Sequence, residues 1–294
     1  MKFLFLLNPW HWWKARQYAK KQAAFDKKQF DLELWLYGKM LRNNMLHYGY
    51  FDDPQTEAAG ISLLDFERAQ MRYAEQIVEQ VRVQSGPVLD AGCGMGGLSV
   101  LLHQAGAKVE ALSPNKDQIA YIREHFPYLT THDSTFEDFE TPARYGTVVH
   151  SESLQYIPLE RAFAQMDTLL ASGGQWIVVD YFRLHERGTN KSAHLLEDFE
   201  QALARHGWKA VVRRDITPNI MPSLRFFNVY VDRILLPVKH YAFEKLRYKK
   251  PFWHYFSLRF QEGIDRKVQK ELASIDPAKF MDEKKYLLFV LEKA

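Results

Sequence analysis

Residues 88–97 read Val-Leu-Asp-Ala-Gly-Cys-Gly-Met-Gly-Gly, a short apolar run that stops at Asp90 and enters a turn with glycines at 92, 94 and 96. Leu98, Leu101 and Leu102 then recur at helical spacing. Strand, glycine turn and helix in that order constrain the fold more than anything else in the chain. They are the opening unit of a parallel α/β sheet. Glycines let the backbone approach a ligand closely, and a helix N-terminus offers unpaired N–H groups and the positive end of its dipole. The dinucleotide form of this turn is G-x-G-x-x-G. Here the glycines alternate, and Asp90 stands two residues before Gly92.

D-x-G-x-G-x-G in this setting resembles motif I of class I S-adenosylmethionine-dependent methyltransferases. The likeness runs over roughly residues 45–215. It implies an α/β fold, a Rossmann-like seven-stranded and mostly parallel sheet, with N-terminal helices and a large helical insert before the last strand. It also implies S-adenosylmethionine as the methyl donor, with Asp90, Gly92, Cys93, Gly94 and Gly96 forming its cradle. The implied division is a helical lid over 1–60, a donor-binding core over 61–215, a substrate-capping insert over 216–284 and a final strand over 285–294.

The partners of the motif follow in order. His47-Tyr48-Gly49-Tyr50-Phe51 resembles the lid-leading segment of small-molecule and lipid methyltransferases, including the tocopherol and cyclopropane-synthase groups. Tyr48 is therefore expected beside the donor. Ala107 to Leu112 reads as a second strand, and counting from Asp90 puts the position that meets the ribose at Ser113. An acidic residue is commonest there; Leu112-Ser113-Pro114-Asn115-Lys116-Asp117-Gln118 instead resembles the cyclopropane-synthase pattern. Ser113 and Gln118 are the ribose-side candidates, with Glu110 as rival. In the loop Ser134 to Phe139 the resemblance assigns Phe136 and Glu137 to the adenine; a shifted register gives Asp133.

Tyr145 to His150 reads as a fourth strand that opens into Ser151-Glu152-Ser153-Leu154-Gln155-Tyr156-Ile157-Pro158. This run resembles the segment beneath the transferring methyl in sugar and tocopherol methyltransferases, and places Ser151 at the donor. Those relatives often carry His where this chain has Gln155 and Tyr156; cyclopropane synthases carry Glu where it has Gln155. The substitution weakens both a His-base and a cyclopropanation reading. A fifth strand, Gln175 to Val179, ends at Asp180, where the resemblance puts an acidic residue of the substrate pocket. Candidate proton acceptors are Tyr156, Glu152, Asp180 and His47, in that order. A base is needed only where the nucleophile keeps its proton near neutral pH.

Charge is unevenly spread over the 294 residues. Net charge is +3, yet residues 1–50 carry nine Lys/Arg against three Asp/Glu, and residues 211–294 carry seventeen against ten. An acidic middle lies between two basic arms. Trp10, Trp12 and Trp13 precede Lys14, Arg16, Lys20 and Lys21 in the first. About seventy residues separate a sixth strand, 208–214, from a seventh, Tyr286 to Leu291. Pro218, Pro222, Pro237 and Pro251 are expected to cut that insert into short helical pieces. Its aromatics would either cap the site or serve as a plain core. Such arms suit an anionic surface, so peripheral membrane contact is an expectation.

The single cysteine, Cys93, excludes an intrachain disulfide framework and a cysteine-based zinc site, and a reducing, cytoplasmic compartment is expected. No metal site is expected. The first reading is methylation of a hydrophobic small-molecule or lipid-like acceptor. A nucleic-acid methyltransferase using the basic arms is the alternative, although residues 150–158 lack the Asn/Asp-Pro-Pro-Tyr/Phe run of amino-methylating types. A donor-binding protein without turnover is a third reading.

Overall fold

A computed structural model describes residues 9–23, 44–187, 193–274 and 276–294. Its seven strands are β1 (Val88–Ala91), β2 (Val109–Ser113), β3 (Thr130–Asp133), β4 (Tyr145–Ser151), β5 (Leu170–Arg183), β6 (Trp208–Asp215) and β7 (Lys284–Lys293). They form one sheet in the order 3-2-1-4-5-7-6. All pairings are parallel except those of β7, which runs antiparallel to both β5 and β6. The described helices are α1 (Pro9–Ala23), α2 (Leu63–Val78), α3 (Gly97–Gln104), α4 (Lys116–His125), α5 (Leu159–Leu169), α6 (Leu196–Arg205), α7 (Thr217–Tyr230), α8 (Leu236–Lys249), α9 (Pro251–Ser274) and α10 (Pro277–Glu283).

Successive residues of a strand face opposite sides of the sheet, and both sides are covered here. Val88, Val149, Ile177 and Leu288 join one core with Tyr73 and Ile77 of α2 and Leu98 and Leu102 of α3. Their neighbours Leu89, Val148, Val178 and Leu287 join the other, with Phe163 and Met166 of α5 and Phe199 of α6. Central strands buried on both faces read as unbroken apolar runs, which is why β1, β4 and β5 are visible in the sequence. Ser62 starts α2 through a capping box: its hydroxyl accepts from Asp65 N at 3.1 Å, while Asp65 Oδ2 accepts from Ser62 N. Losing such a cap costs about 1 kcal/mol.

A third cluster ties the segment before the core to the insert. Phe66 stacks on Phe226 of α7 with ring centroids 5.2 Å apart, and Phe51 packs with them. Gly49 N donates to Ser223 Oγ at 2.9 Å and Asn219 Nδ2 donates to Phe51 O at 2.8 Å. The aromatic segment 47–51 is thus sewn to α7.

Three of the insert's four expected breakers stand where its helices begin: Pro218 lies in the first turn of α7, Pro237 in that of α8, and Pro251 opens the 24-residue α9. A proline at a helix start loses only an N–H that has no intrahelical partner anyway. Pro222 sits inside α7, where it is buried against the core. Phe30, Leu34, Leu41 and Met45 recur at helical spacing in the sequence; the first three lie outside the described residues, and Met45 lies in non-helical chain.

Candidate active site at the reversal of strand order

Strand order reverses between β1 and β4, and in open α/β sheets ligands bind at the carboxyl ends of the strands at such a point. A cavity of about 400 Å³ lies there, walled by Gly92 to Met95, by Ser113 to Asn115 with Gln118, and by Ser151 to Ser153. Asn44 to His47 close it from above. Gly92 holds φ +86°, and a Cβ built on it would stand 2.3 Å from Ser153 Cβ. Gly94 holds φ +55°, and its Cβ would enter the cavity wall 3.1 Å from Leu46. These two glycines are required by conformation and by space.

The side chains around the corner are held in place. Asp90 is buried at the end of β1, where Ser99 Oγ donates to its Oδ2 at 2.5 Å; burial pushes its carboxyl up to about 6. Ser153 Oγ donates to Ala91 O at 2.6 Å. Ser113 Oγ donates to Gln118 Oε1 at 2.7 Å, a polar pair on the cavity wall at the end of β2. Cys93 is buried, and its thiol is pushed well above the usual range, first by desolvation and then by Asp90. It is no nucleophile here.

A second cavity of about 250 Å³ abuts the first. Its walls include Tyr48, Phe66, Gln70, Gln155, Tyr181 and Phe227, and it shares Leu46, His47, Glu152 and Tyr156 with its neighbour. Glu152 is the centre of this boundary. Its backbone adopts φ +52°, the left-handed region that a non-glycine residue rarely occupies, and its N donates to Val179 O at 2.9 Å. Such strain persists only where the surroundings over-determine it. Oε1 accepts from Tyr48 N at 3.2 Å and from the Tyr286 hydroxyl. Tyr73 OH lies 3.0 Å from Tyr286 OH and 3.2 Å from Ser151 Oγ.

One phenol has one proton. Tyr286 gives its proton to Glu152, so Tyr73 gives its own to Tyr286, and Ser151 completes a chain of donors that ends on the carboxylate. Burial raises the Glu152 carboxyl to about 7, against these hydrogen bonds, which lower it. His47 is half-buried on the same boundary. Its Nδ1 lies 2.8 Å from Tyr48 O, and a carbonyl only accepts, so the ring proton is on Nδ1. Nε2 is left as a bare, buried lone pair, and desolvation holds the imidazole down at about 4. The ring stacks on Tyr73 at 4.0 Å.

Of the residues singled out in the sequence, Asp90, Gly92, Cys93, Gly94, Ser113, Gln118, Ser151, Glu152, His47 and Tyr156 converge on the first cavity. Tyr48 lies in the second, and Tyr156 lies at the mouth with 76% of its surface exposed. Gly96 instead caps α3, packed over Ile122. Others stand elsewhere. Asp180 is buried behind the boundary, where Gln155 N and Tyr181 N donate to its carboxyl at 3.1 and 2.9 Å; burial and then the Glu152 charge push it well up. Phe136 is buried in the second core, edge-on to His150 at 4.5 Å, and Glu137 lies on a different surface. Their loop passes beneath β4, because Phe136 is apolar enough to be drawn into that core. Glu110 is engaged by Tyr145 OH and His132 Nε2, each at 2.8 Å. Among the described aromatic residues of the insert only Phe227 reaches either cavity.

Tyr73, Tyr286 and Ser153 were not singled out in the sequence. Tyr286 had a signal: β7 is antiparallel, so its first residues lie at the edge where the parallel strands end.

Comparison with known proteins agrees with this geometry. Residues 88–174 match a family described as a methyltransferase domain. Geranyl diphosphate 2-C-methyltransferase of Saccharopolyspora erythraea is 30% identical over 129 residues, 38% of this chain and 44% of that protein. The match therefore spans less than half of that relative's length. An O-methyltransferase, cnsE, of Penicillium expansum is 25% identical over 214 residues, 62% of this chain and 72% of its own. The crystal structure of geranyl diphosphate C-methyltransferase from Streptomyces coelicolor, bound to Mg2+, geranyl diphosphate and S-adenosylhomocysteine, superposes with a TM-score of 0.60. That likeness, at 17% identity over 91% of this chain and 95% of the other, is one of fold. The glycine corner, the hydroxyl and amide at the end of β2, and the cavity volume fit S-adenosylmethionine. Residues 88–174 thus carry a methyltransferase domain, set in a fold shared with the C-methyltransferase of Streptomyces coelicolor.

Proposed function

We propose that the protein methylates a hydrophobic small molecule that still carries a proton at or beside the accepting atom. S-adenosylmethionine, when bound, supplies an electrophilic methyl on a sulfonium. The observation that carries the proposal is the pair of abutting cavities with Glu152 on their common wall. Gly92, Gly94, Ser113 and Gln118 would hold the donor. Phe66, Tyr181 and Phe227 make the other chamber mainly apolar, and Gln70 and Gln155 give it polar points of attachment. Holding two reactants in line within a dry pocket accounts for about 7–11 kcal/mol of barrier in well-oriented systems.

Glu152 is the proton acceptor in this reading. Oε1 is occupied by its two donors, which leaves Oε2 for the substrate, and a carboxyl near 7 is poised for base catalysis at neutral pH. His47, held neutral, offers Nε2 as an acceptor for the same substrate. Tyr156 lies at the mouth and Asp180 fixes the loop, so neither takes the proton. The lone buried cysteine supports a cytoplasmic setting. Labelled S-adenosylmethionine incubated with a lipid extract and, separately, a polar extract tests the acceptor class. Label is expected in the organic phase; label confined to polar products overturns the hydrophobic acceptor, and its absence from both extracts favours a donor-binding protein.

A further inference from the structure

Helix α8 has two faces of different character. Leu236, Lys239, Phe243 and Leu246, spaced three or four apart, are half-buried, and α9 runs back alongside as an antiparallel neighbour, with Lys239 paired to Asp265 across the hairpin. Diametrically opposite lie Val238, Tyr241, Lys245 and Tyr248, within about 80° of arc at 3.6 residues per turn. The three apolar members are 60, 65 and 77% exposed, and Ile234 in the preceding π-turn is 44% exposed. No residue of α8 is buried, although the helix is about 20 Å long. Beyond its end the chain turns through Lys249, Lys250 and Pro251 into Phe252, which is 59% exposed.

The end of this element is basic. Residues 245–250 hold Lys245, Arg247, Lys249 and Lys250 and no acidic residue. Arg247 pairs with Glu244 at 3.3 Å, whereas Lys245, Lys249 and Lys250 form no ion pair among the described residues. Lys245 lies 5.5 Å from the Tyr241 ring. Folding would have buried such a stripe had it served as core. Left outside, an apolar line with tyrosines and flanking lysines matches a helix lying in the plane of a bilayer interface, rings at headgroup depth and ammonium groups toward anionic lipid. Nucleic acid would use the cations, but it offers no place for Val238 and Ile234. No described helix is long and apolar enough to cross a membrane.

We propose that the outer face of α8, from Ile234 to Tyr248 with Lys249 and Lys250, docks on the surface of an anionic lipid bilayer. The proposal stands whether or not Glu152 acts as assigned. Co-sedimentation with phosphatidylcholine vesicles, and with the same vesicles carrying about one third phosphatidylglycerol, tests it. Binding is expected to the anionic vesicles and to weaken with salt. Each surface cation contributes about 1 kcal/mol, or about fivefold, so K245Q/K249Q/K250Q should bind about 100-fold more weakly. Y241S/Y248S should lose binding that high salt spares in the wild type. Unchanged donor affinity and circular dichroism show that the variants fold. The proposal is overturned if the wild type stays in the supernatant with both vesicles, or if either variant binds like the wild type. It is overturned equally if single-stranded RNA binds more tightly than the vesicles through the same lysines.

Discussion

Replacing Tyr286 by Phe removes one hydroxyl from the floor of the site and leaves the ring packing in place. The lost hydrogen bond is the one that lowers the Glu152 carboxyl from the side of β7. A hydrogen bond to a charged group is worth about 1.5–3 kcal/mol, and each pKa unit is about 1.36 kcal/mol, so the carboxyl should rise by about one to two units. Starting from about 7, the ionised fraction at pH 7 falls from about half to between about a tenth and a hundredth. The other groups facing Glu152 are Tyr73 and His47, which burial keeps neutral through this range, and Asp180, whose carboxyl burial also pushes upward. The acidic limb of the kcat/KM profile should therefore move upward by about one to two units, with activity at pH 7 down about 5- to 50-fold and largely recovered near pH 9. Tyr73→Phe should shift the same limb less, because Tyr286 keeps its own bond to the carboxylate. Methyl transfer from labelled donor, followed across pH, reads this directly. A Tyr286→Phe profile superimposable on the wild type refutes the reasoning, as does an acidic limb that survives unchanged in Glu152→Gln.

Gly94→Val would place a branched side chain at φ +55° and into the donor cavity, and should weaken donor affinity by more than about tenfold; calorimetry giving a wild-type Kd would remove the donor site from this corner. Gln118→Ala breaks the pair with Ser113 and should raise donor KM about two- to tenfold while acceptor KM holds. Glu152→Gln also bears on stability. A carboxyl raised from 4.5 to about 7 on folding stabilises the protein below about pH 4.5 and loses that contribution as pH climbs through 7. A neutral amide escapes this loss, so the Tm of Glu152→Gln should gain on the wild type between pH 5 and 7.5; parallel Tm curves would place the carboxyl near its ordinary value.

The donor half of the site was legible because its determinants are local. Asp90 and the alternating glycines lie within seven residues, and strand, turn and helix each follow from the nearest neighbours in sequence. Ser113 and Gln118 are likewise only five positions apart, joined by one side-chain hydrogen bond. The central strands were legible as well, since β1, β4 and β5 are largely buried and appear as apolar runs. Phe136 failed for the opposite reason. Its placement is decided by competition between a cavity and the core under β4, and spacing along the chain carries no information about which one wins. Pro218, Pro237 and Pro251 marked helix starts, where a proline is well tolerated, whereas Pro222 misled, since it lies inside α7.

The wall between the two cavities was hidden because its floor comes from β7, the strand that runs backwards among the described ones. In a purely parallel sheet, every strand brings its last residues to the ligand edge. β7 enters from that edge, so Tyr286, opposite Tyr181 of β5, is delivered at its beginning. Two phenols from elements 213 residues apart then meet beneath one carboxylate. Glu152 faces them only because its backbone is held in a left-handed turn, with Val179 O taking its N–H and Tyr48 N binding its side chain. Relaxing that turn would swing the carboxylate away from the boundary between the two cavities. The strain at residue 152 and the base assignment are therefore one claim: a site that needed only donor binding would have no use for a strained acidic residue, hydrogen-bonded from behind by a tyrosine, where the two cavities meet.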